Sequence, residues 1–509
     1  MKRLIVVAIL AFPLVSACQS GATVEEAVAS ISESDFLAKV SVIADDSMMG
    51  RADPSPGLDM TAHWIADQFR QYGLKPGGDD GSFIQTYHIG EQAVDFEASS
   101  ARVVGGPELA FGADLNFMRG GGGGEVTGPV AILAGNLAEA QSLPAEEING
   151  KHLLILPAQG TPTTGRRRVR FPSGLMEAQP ASVIFIDQSS DEDWNQAVER
   201  SMDQRSRILP WSDPSQGGLP MLYIRESSVE PLLASNGVQL STLEAAGNRA
   251  PFLTDVPGME IALNTVTRDL EGFDMPNTVG ILEGSDSDLK DEYIVFSGHM
   301  DHIGIRPPNE AGDSIANGAD DDGSGTIAVV ELAKAFSMLE ERPRRSIIFL
   351  TVSGEEVGLW GSRYFSEHPG VPIEDLVADL NADMISRNAR DSIVVIGKEH
   401  SDLGETMDAV NAAHPELDLT AADDIWPEQN FYQRSDHFNF ARRGVPVLFF
   451  FCGTHEDYHG VDDEVENMDI TKATNTTRLM FYLGLEVANA DQKPQWDPDS
   501  YAEIVDMGG

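Results

Sequence analysis

From about residue 260 the sequence alternates between short apolar runs and amphipathic segments, with loops between them. This order of strand, loop and helix predicts an α/β fold: a mainly parallel, mixed sheet flanked by helices. In such a fold the functional side chains lie beyond the carboxyl ends of the strands. The predicted strands include NTVGILEG, DEYIVFSG, RSIIFLTVS, DSIVVIG and VPVLFFF, and the predicted helices include TIAVVELAKAFSMLEE and TKATNTTRLMFYLGLEVANA.

The composition limits the partners of the chain. Its 35 Lys and Arg residues against 81 Asp and Glu residues give a formal net charge of −46. Nucleic acids and anionic lipids are bound through Lys and Arg, so this charge argues against both as partners. Hydrophobic residues make up 41% of the 509 residues, which is a globular composition with length for two or three domains.

The N-terminus is typical of an export signal. Lys2 and Arg3 precede a short apolar stretch, and small residues then lead to Cys18. The sequence VSAC resembles a bacterial lipobox, which predicts lipidation of Cys18 and an exported, periplasmic or outer-membrane-tethered protein whose contact with the membrane is the lipid anchor. A plain cleaved signal is the alternative. Cys452 is the other cysteine of the chain, so no disulfide framework is expected.

Changes in composition and hydrophobic pattern along the chain predict five parts, of which the inserted domain is described below. Residues 1–17 are a lipoprotein-type signal peptide, 18–30 a linker, and 491–509 a C-terminal tail. Residues 31–95 and 256–490 form the two segments of the main domain. Its first segment opens with a helix whose buried face is Phe36, Leu37, Val40 and Ile43.

Residues 96–255 are predicted to form an inserted, β-rich domain without chemistry of its own. Its strands are GPVAILAG, GKHLLILPA, ASVIFID and LPMLYIR. Five glycines at 120–124 lead into a strand and not into a helix, so they are interpreted as a flexible connection and not as a phosphate-binding loop. The basic stretch TGRRRVR at 164–170 is interpreted as a solvated loop.

Histidines and carboxylates cluster where the predicted strands end. Each cluster taken alone has an ordinary explanation as a turn, a helix cap or solvated charge, but independent causes would not place all of them at one edge of a sheet. Imidazole and carboxylate without thiolate suit Zn²⁺, with Mn²⁺ or Co²⁺ as substitutes. There are more carboxylates than one tetrahedral ion needs, which favours two ions sharing a bridging carboxylate. The motifs are SGHMDHIG, NGADDDGSG, SGEEVG, LNADMIS and THEDYHG.

The order of these motifs resembles the co-catalytic zinc aminopeptidase family of clan MH metallopeptidases, which also includes glutamate carboxypeptidase-like and glutaminyl cyclase-like members. The resemblance covers most of residues 260–490, and MGRADPSPG at 49–57 is similar to the N-terminal segment of that family. The 96–255 region resembles the protease-associated (PA) domain inserted in such enzymes. The resemblance implies an exported metallo-aminopeptidase that holds two Zn²⁺ and acts on peptides with a free N-terminus.

The resemblance also implies the metal ligands. His299 and Asp383 would bind one ion, and His459 and Glu356 the other. Asp321 would bridge the two ions, with Asp320 as the alternative if the register is shifted by one residue.

Four further residues receive roles from the same resemblance. Glu355 would be the general base that accepts a proton from the attacking water. Asp301 would hold the ring of His299 in the required tautomer. Tyr458 would donate to the developing oxyanion, and Arg434 would lie near the substrate.

Several rival functions are weighed against the aminopeptidase. A glutamate carboxypeptidase-like enzyme would need basic groups for an acidic side chain, and Arg434 is the candidate. A glutaminyl cyclase-like enzyme would keep a similar set of ligands but use one ion. A catalytically inactive binding protein usually lacks ligands or the base, whereas here every position is filled. A two-metal phosphoesterase would need a basic cluster to clamp phosphate, and the motif order argues against it.

Overall fold

The computed structural model describes residues 21–118, 124–135, 145–157, 178–211 and 218–507. The predicted signal peptide, Cys18 and the TGRRRVR stretch lie outside these described residues. Contacts divide the chain into two compact units, one running to Tyr87 and resuming at Asp274, the other comprising His88–Phe273. The composition places the same two boundaries near 95 and 255. The difference arises because the strands Ile84–Val94 and Thr267–Leu282 run through both boundaries without a turn to mark them.

The first unit contains the predicted α/β sheet. Its centre is parallel: Tyr293–His299 pairs in parallel with Ser346–Val352 on one side and with Leu376–Ala382 on the other. Antiparallel neighbours on both flanks make the sheet mixed. The predicted fold class is therefore confirmed. From one edge the strand order is Thr420–Ala422, Ser392–Ile396, Val447–Phe451, Leu376–Ala382, Tyr293–His299, Ser346–Val352 and Thr267–Leu282.

Helices cover this sheet, and the central one, Gly323–Met338, is buried along most of its length. Its contacts with Tyr293–His299 and Ser346–Val352 explain why a helix of this unit is apolar on nearly all sides. Short strands Lys75–Pro76, Gly304–Ile305 and Ile315–Ala316 complete the unit. The helices are Val24–Ser30, Glu33–Ile43, Pro56–Gln71, Gly323–Met338, Trp360–Glu367, Leu403–Ala413, His437–Ala441, Ile470–Asn489 and Pro498–Tyr501.

Two segments expected to be unstructured are ordered. Residues 24–30 of the predicted linker form a helix, because Thr23 and Glu26 make reciprocal capping hydrogen bonds and Ala27 and Val28 are buried. The predicted tail also packs against the first unit: the indole N–H of Trp496 donates to the carbonyl of Gly444 at 2.9 Å.

The helix Glu33–Ile43 is amphipathic, but its buried face differs from the expected one. Leu37 is 42% exposed, whereas Lys39 is buried. Lys39 is tolerated in the interior because its ammonium group donates to the carboxylate of Glu331, a side chain with no exposed surface, and to Asp35. Lys334 donates to the same two carboxylates, which makes a four-residue ionic cluster.

The second unit has its own sheet, and its predicted strands are present. The four central strands are parallel. Among its described residues, the helices are Asp191–Met202, Glu226–Ser235 and Leu240–Gly247. The sheet order is Glu108–Leu109, Ser100–Val103, Phe252–Thr265, Gly124–Gly135, His152–Pro157, Ser182–Asp187, Met221–Arg225 and Leu115–Phe117. A further strand, Arg205–Ile208, pairs with residues 90–93.

The last glycine of the run, Gly124, is the first residue of the strand Gly124–Gly135, so the predicted strand is present at this point. Among the described residues, the helices are either too short or too polar to cross a lipid bilayer.

The buried ionic cluster yields a stability prediction. Glu331→Gln leaves Lys39 and Lys334 with Asp35 as their remaining counter-charge, so the free energy of unfolding should fall by about 3 kcal/mol. Urea denaturation measures this loss. Asp67→Asn is the control: it removes the pair of Asp67 with Arg70, whose side chains are 61% and 64% exposed, and should change stability little. Equal losses in the two variants would contradict the prediction.

Candidate metal centre

The site lies where the parallel strands of the first unit end. His299 is the last residue of its strand, Asp383 directly follows Leu376–Ala382, and Glu355 and Glu356 come three and four residues after Val352. The loops continue the strand pairing for one more residue, since Met300 N–H donates to Val352 O at 2.8 Å and Asp383 N–H to Phe450 O at 3.2 Å. The side chains are therefore fixed by the register of the sheet.

A first group of donors surrounds the imidazole of His299. Its Nε2 lies 3.3 Å from Asp321 Oδ1 and 3.6 Å from Asp383 Oδ1. The His299 side chain is 1% exposed, and those of Asp321 and Asp383 are 4% and 10% exposed. The group can therefore enclose a cation away from bulk water.

A second group shares Asp321 with the first. His459 Nε2 lies 3.2 Å from Asp321 Oδ2 and 3.0 Å from Glu356 Oε2. His302 joins this group, with Nδ1 2.9 Å from Glu356 Oε1 and 3.8 Å from Asp321 Oδ2. The two oxygens of Asp321 thus face different groups, which is the arrangement of a bridging carboxylate.

The three consecutive aspartates have different surroundings. Asp320 accepts hydrogen bonds from the N–H and hydroxyl of Ser386 at 2.8 and 2.6 Å. It also lies beside the thiol of Cys452 and the ring of His455. Its oxygens are therefore engaged away from the two groups, and His455 lies with Asp320 instead of joining the metal donors.

Asp322 is close enough to His299 and Asp383 to form a third candidate set. Its oxygens, however, accept from the backbone N–H groups of His299 at 3.0 Å, Gly325 at 2.8 Å and Met384 at 3.1 Å. We therefore assign Asp322 to holding the loops and capping the helix Gly323–Met338. Asp321 is left as the member of the triplet that faces both groups.

Gly318 allows the aspartate loop to approach His302. Its φ is +56°, and a Cβ there would lie 2.5 Å from Cγ of the His302 ring and 2.3 Å from the carbonyl oxygen of Asp321. Only glycine fits this position without displacing the loop.

Asp301 connects the two groups. Its Oδ2 accepts from the N–H of Glu356 at 3.2 Å. Nδ1 of His299 lies 3.2 Å from the backbone oxygen of Asp301 and 3.6 Å from its Oδ1. The predicted orienting contact to His299 is thus closest at the carbonyl of Asp301, with the carboxylate slightly further away.

Asp383 is oriented by a chain of hydrogen bonds. Ser435 Oγ donates to Asp383 Oδ2 at 2.8 Å and accepts from the amide of Asn381 at 3.0 Å. These partners fix one oxygen of Asp383, so that the other faces His299. Ser435 was not among the residues singled out in the sequence.

A cavity opens beside the two groups and has two kinds of wall. Glu355 and Tyr458 line one wall together with Asp321, Asp383 and His459. The ring of Tyr458 stacks on His459 with centroids 3.9 Å apart. The apolar part of the lining consists of Met384, Phe431, Phe449 and Phe451.

Arg434, which the family resemblance places near the substrate, also lines this cavity. Its side chain is exposed, and its guanidinium lies 4.7 Å from the centre of the Phe431 ring. The predicted residues at positions 299, 301, 321, 355, 356, 383, 434, 458 and 459 are therefore all brought to one place.

Burial and neighbouring charges shift the pKa values of the site. Burial raises the pKa of Glu355, and the carboxylates of Asp383 and Asp436 raise it further. Burial also raises the pKa of Tyr458, so its phenol stays protonated and can donate a hydrogen bond. Asp321 is the opposite case: burial raises its pKa, but the imidazoles of His299 and His459 outweigh burial and hold the pKa below its usual value.

The donor set fits divalent metal ions. Within the part of the chain that the structure describes, His302 Nδ1, Asp321 Oδ2 and Glu356 Oε1 are buried without a hydrogen-bond partner, although they lie close together. Donor atoms about 2.0–2.2 Å from one tetrahedral ion are roughly 3.3–3.6 Å apart, and several separations in the two groups fall near this range. Side chains that converge without bonding to one another are characteristic of ligands.

Comparison with solved structures identifies the class of fold. An aminopeptidase from Aneurinibacillus sp. strain AM-1 superposes with a TM-score of 0.51 at 16% identity, covering 94% of this chain and 98% of that one. The chain thus has an aminopeptidase-type α/β fold, with candidate metal-binding groups at the carboxyl edge of its sheet.

The family follows from the sequence of the same region. Residues 277–484 match the model of peptidase family M28, and this part of the chain is a peptidase family M28 domain. The resemblance to clan MH metallopeptidases is therefore confirmed.

Relatives of two names align with this region. Leucine aminopeptidase 1 of Trichoderma harzianum is 27% identical over 215 residues, which are 39% of this chain and 52% of that protein. A probable glutamate carboxypeptidase of Arthroderma benhamiae is 27% identical over 202 residues, 38% of this chain and 26% of that protein. The chain thus spans about half of the first relative and about a quarter of the second.

The different surroundings of the aspartates predict different metal contents. Asp321→Ala should lose metal from both groups, because it removes a donor from each. Asp320→Asn should keep the stoichiometry of the wild type, since Asp320 bonds to Ser386 and not to a metal donor. Elemental analysis of purified protein after incubation with zinc compares the two variants, and metal loss in Asp320→Asn alone would contradict the assignment.

Proposed function

We propose that this protein is a zinc-dependent aminopeptidase that removes the N-terminal residue of peptides with a dinuclear site. The observation that carries this proposal is Asp321, whose two oxygens face separate imidazole–carboxylate groups beside the cavity lined by Glu355. His299 and Asp383 would hold one ion, and His459 and Glu356 the other. When bound, such ions act as Lewis acids that polarise a carbonyl group and acidify water.

Glu355 is the proposed general base. It lies in the lining of the cavity together with Asp321 and Asp383. A carboxylate at this position is placed to accept a proton from water in the cavity. Glu355 would take the proton of the attacking water and pass it to the leaving amine, while Tyr458 would donate its phenolic proton in a hydrogen bond to the oxyanion.

The cavity supports a preference for apolar N-terminal side chains. Phe431, Phe449 and Phe451 pack their rings together, with centroids 4.9 and 5.1 Å apart, and turn this apolar wall to the cavity. The carboxylates of Asp321, Glu355 and Asp383, which line the same cavity, suit the positive charge of a free α-amine. The cavity could therefore bind an uncharged N-terminal side chain and a charged α-amine of the same substrate at the same time.

One feature favours a second function. Arg434 brings a guanidinium to the same cavity, and a guanidinium can bind a carboxylate in bidentate fashion. A glutamate carboxypeptidase would use such a group for an acidic C-terminal residue.

Hydrolysis of aminoacyl anilides and of N-acetylated peptides, with and without a chelator, tests the proposed function. The aminopeptidase should cleave leucyl anilide in a chelator-sensitive manner and leave N-acetylated peptides intact. Cleavage of N-acetylated peptides ending in glutamate, lost in Arg434→Ala, would instead establish the carboxypeptidase.

Glu355→Gln separates the proton acceptor from the metal ligands. It removes the basic oxygen without disturbing the donors around Asp321, so kcat should fall by about 10²–10⁴-fold while the zinc content stays that of the wild type. Glu356→Gln is the matched control one residue along, and it should lower the zinc content. Glu355→Gln protein that lacks zinc would overturn this division of roles.

We also propose that the protein is exported and lipidated at Cys18, on the strength of residues 1–18. Cys18→Ser should move the protein from the membrane fraction to the soluble fraction of a bacterial expression host. An unchanged distribution would contradict lipidation and leave the site in the first unit unaffected.

A further inference from the structure

The segment just before the helix Pro56–Gln71 contains an arginine that is fully buried. Arg51 has no exposed surface, and its φ is +51°. The preceding Gly50 also has a positive φ, and a Cβ on it would lie 2.4 Å from the carbonyl oxygen of Ala316. The chain is thus pressed against the loops of the metal centre at this point.

Among the described residues, the guanidinium of Arg51 donates its hydrogen bonds to backbone carbonyls. Nε donates to Met300 O at 2.8 Å, and Nη2 donates to Gly318 O at 2.9 Å. Nη1 donates to Asn317 O at 2.5 Å and to Ile43 O at 2.8 Å. A planar group with a fixed fork of donors holds these carbonyls in one arrangement, which an ammonium group cannot reproduce.

Three of the four acceptors belong to the two loops that carry candidate metal donors, and the fourth, Ile43, ends the helix Glu33–Ile43. Met300 lies between His299 and Asp301, and Gly318 lies three residues before Asp321. The backbone of Arg51 adds a third link, because its carbonyl oxygen accepts from the N–H of His302 at 3.2 Å. One residue thus connects the loop of the first imidazole with the loop of the shared carboxylate.

Arg51 also supplies a fixed positive charge beside this acidic site. Burial lowers the pKa of Arg51, and the carboxylates of Asp301, Asp322, Asp463 and Asp321 act in the opposite direction. None of them forms an ion pair with Arg51 within the described residues. The positive charge of Arg51 therefore acts on these carboxylates over a distance, while its N–H groups bind backbone carbonyls.

Resting on the proposed function, we propose that Arg51 is a positioning residue for the metal centre. It fixes the loops of His299 and Asp321 in the arrangement that binds zinc, without touching an ion or the substrate. Loss of its fork of donors should weaken zinc binding beyond what the accompanying loss of stability explains.

The chain offers a matched control in Arg345. This arginine is 1% exposed and donates to Val487 O at 3.0 Å, to Ala490 O at 2.5 Å and to Glu292. It directly precedes the strand Ser346–Val352 and so lies at the opposite end of that strand from the metal centre. Arg345→Lys therefore disturbs a comparable set of buried hydrogen bonds away from the ligands.

The experiment measures zinc affinity of the full-length protein by competition with a chromogenic chelator, together with the melting temperature with and without zinc. Arg51→Lys should raise the Kd for zinc by about 10–100-fold, the usual effect of losing a group that orients ligands. Arg345→Lys should keep the Kd of the wild type even if it melts earlier. In Arg51→Gly, added propylguanidinium should restore zinc affinity, because it replaces the missing group.

Three outcomes would overturn the proposal. Equal zinc affinity in Arg51→Lys and the wild type would remove the positioning role, although the proposed function would stand. Failure of both Arg51 variants to fold, while Arg345→Lys folds, would assign Arg51 to the stability of the whole unit. A wild-type protein that binds no zinc would refute the proposed function itself and leave Arg51 no ligands to position.

Discussion

The burial of many carboxylates at one edge of a sheet is the constraint on which the first unit depends. Asp301, Asp320 and Asp322 have no exposed surface, and Asp321 is 3% exposed. Ionised groups in such a place are costly unless each finds compensation. Hydrogen bonds from backbone N–H groups compensate the charge of Asp322, and those from Ser386 compensate the charge of Asp320. The imidazoles beside Asp321 compensate its charge. The mode of compensation thus separates the carboxylates that hold loops from the one that faces the two donor groups.

The sheet holds these carboxylates in fixed positions relative to one another. The strand ending at His299 lies between its two parallel neighbours, so that three loops leave the sheet side by side in fixed register. Asp463 then ties the aspartate loop from the outside, since its carboxylate accepts from the N–H groups of Asp320 and Asp321 at 3.1 and 3.0 Å. A site built on strand ends and braced in this way needs little rearrangement to bind ions.

The sequence could predict those parts of the molecule that are encoded locally. Apolar runs marked the strands, and the candidate donors His299 and Asp383 stand at the ends of two of these strands. Contacts between distant residues left no such signal: Arg51 and Met300 are 249 residues apart, and Lys39 and Glu331 are 292 apart. His302 was visible in SGHMDHIG, but its approach to Glu356 depends on how two loops fold together. Hydropathy predicted a buried Leu37 and an exposed Lys39, and the structure shows the reverse. The hydropathy of a lysine does not reveal that a buried carboxylate, here Glu331, pairs with it.

Cys452 shows how the same crowding affects a thiol. Its Sγ lies 3.5 Å from Asp320 Oδ2, and burial together with that carboxylate raises the pKa of the thiol. A thiol that stays protonated and out of reach of solvent is a poor nucleophile for disulfide exchange. In the folded first unit, Cys452 should therefore react slowly with oxidants and with foreign disulfides.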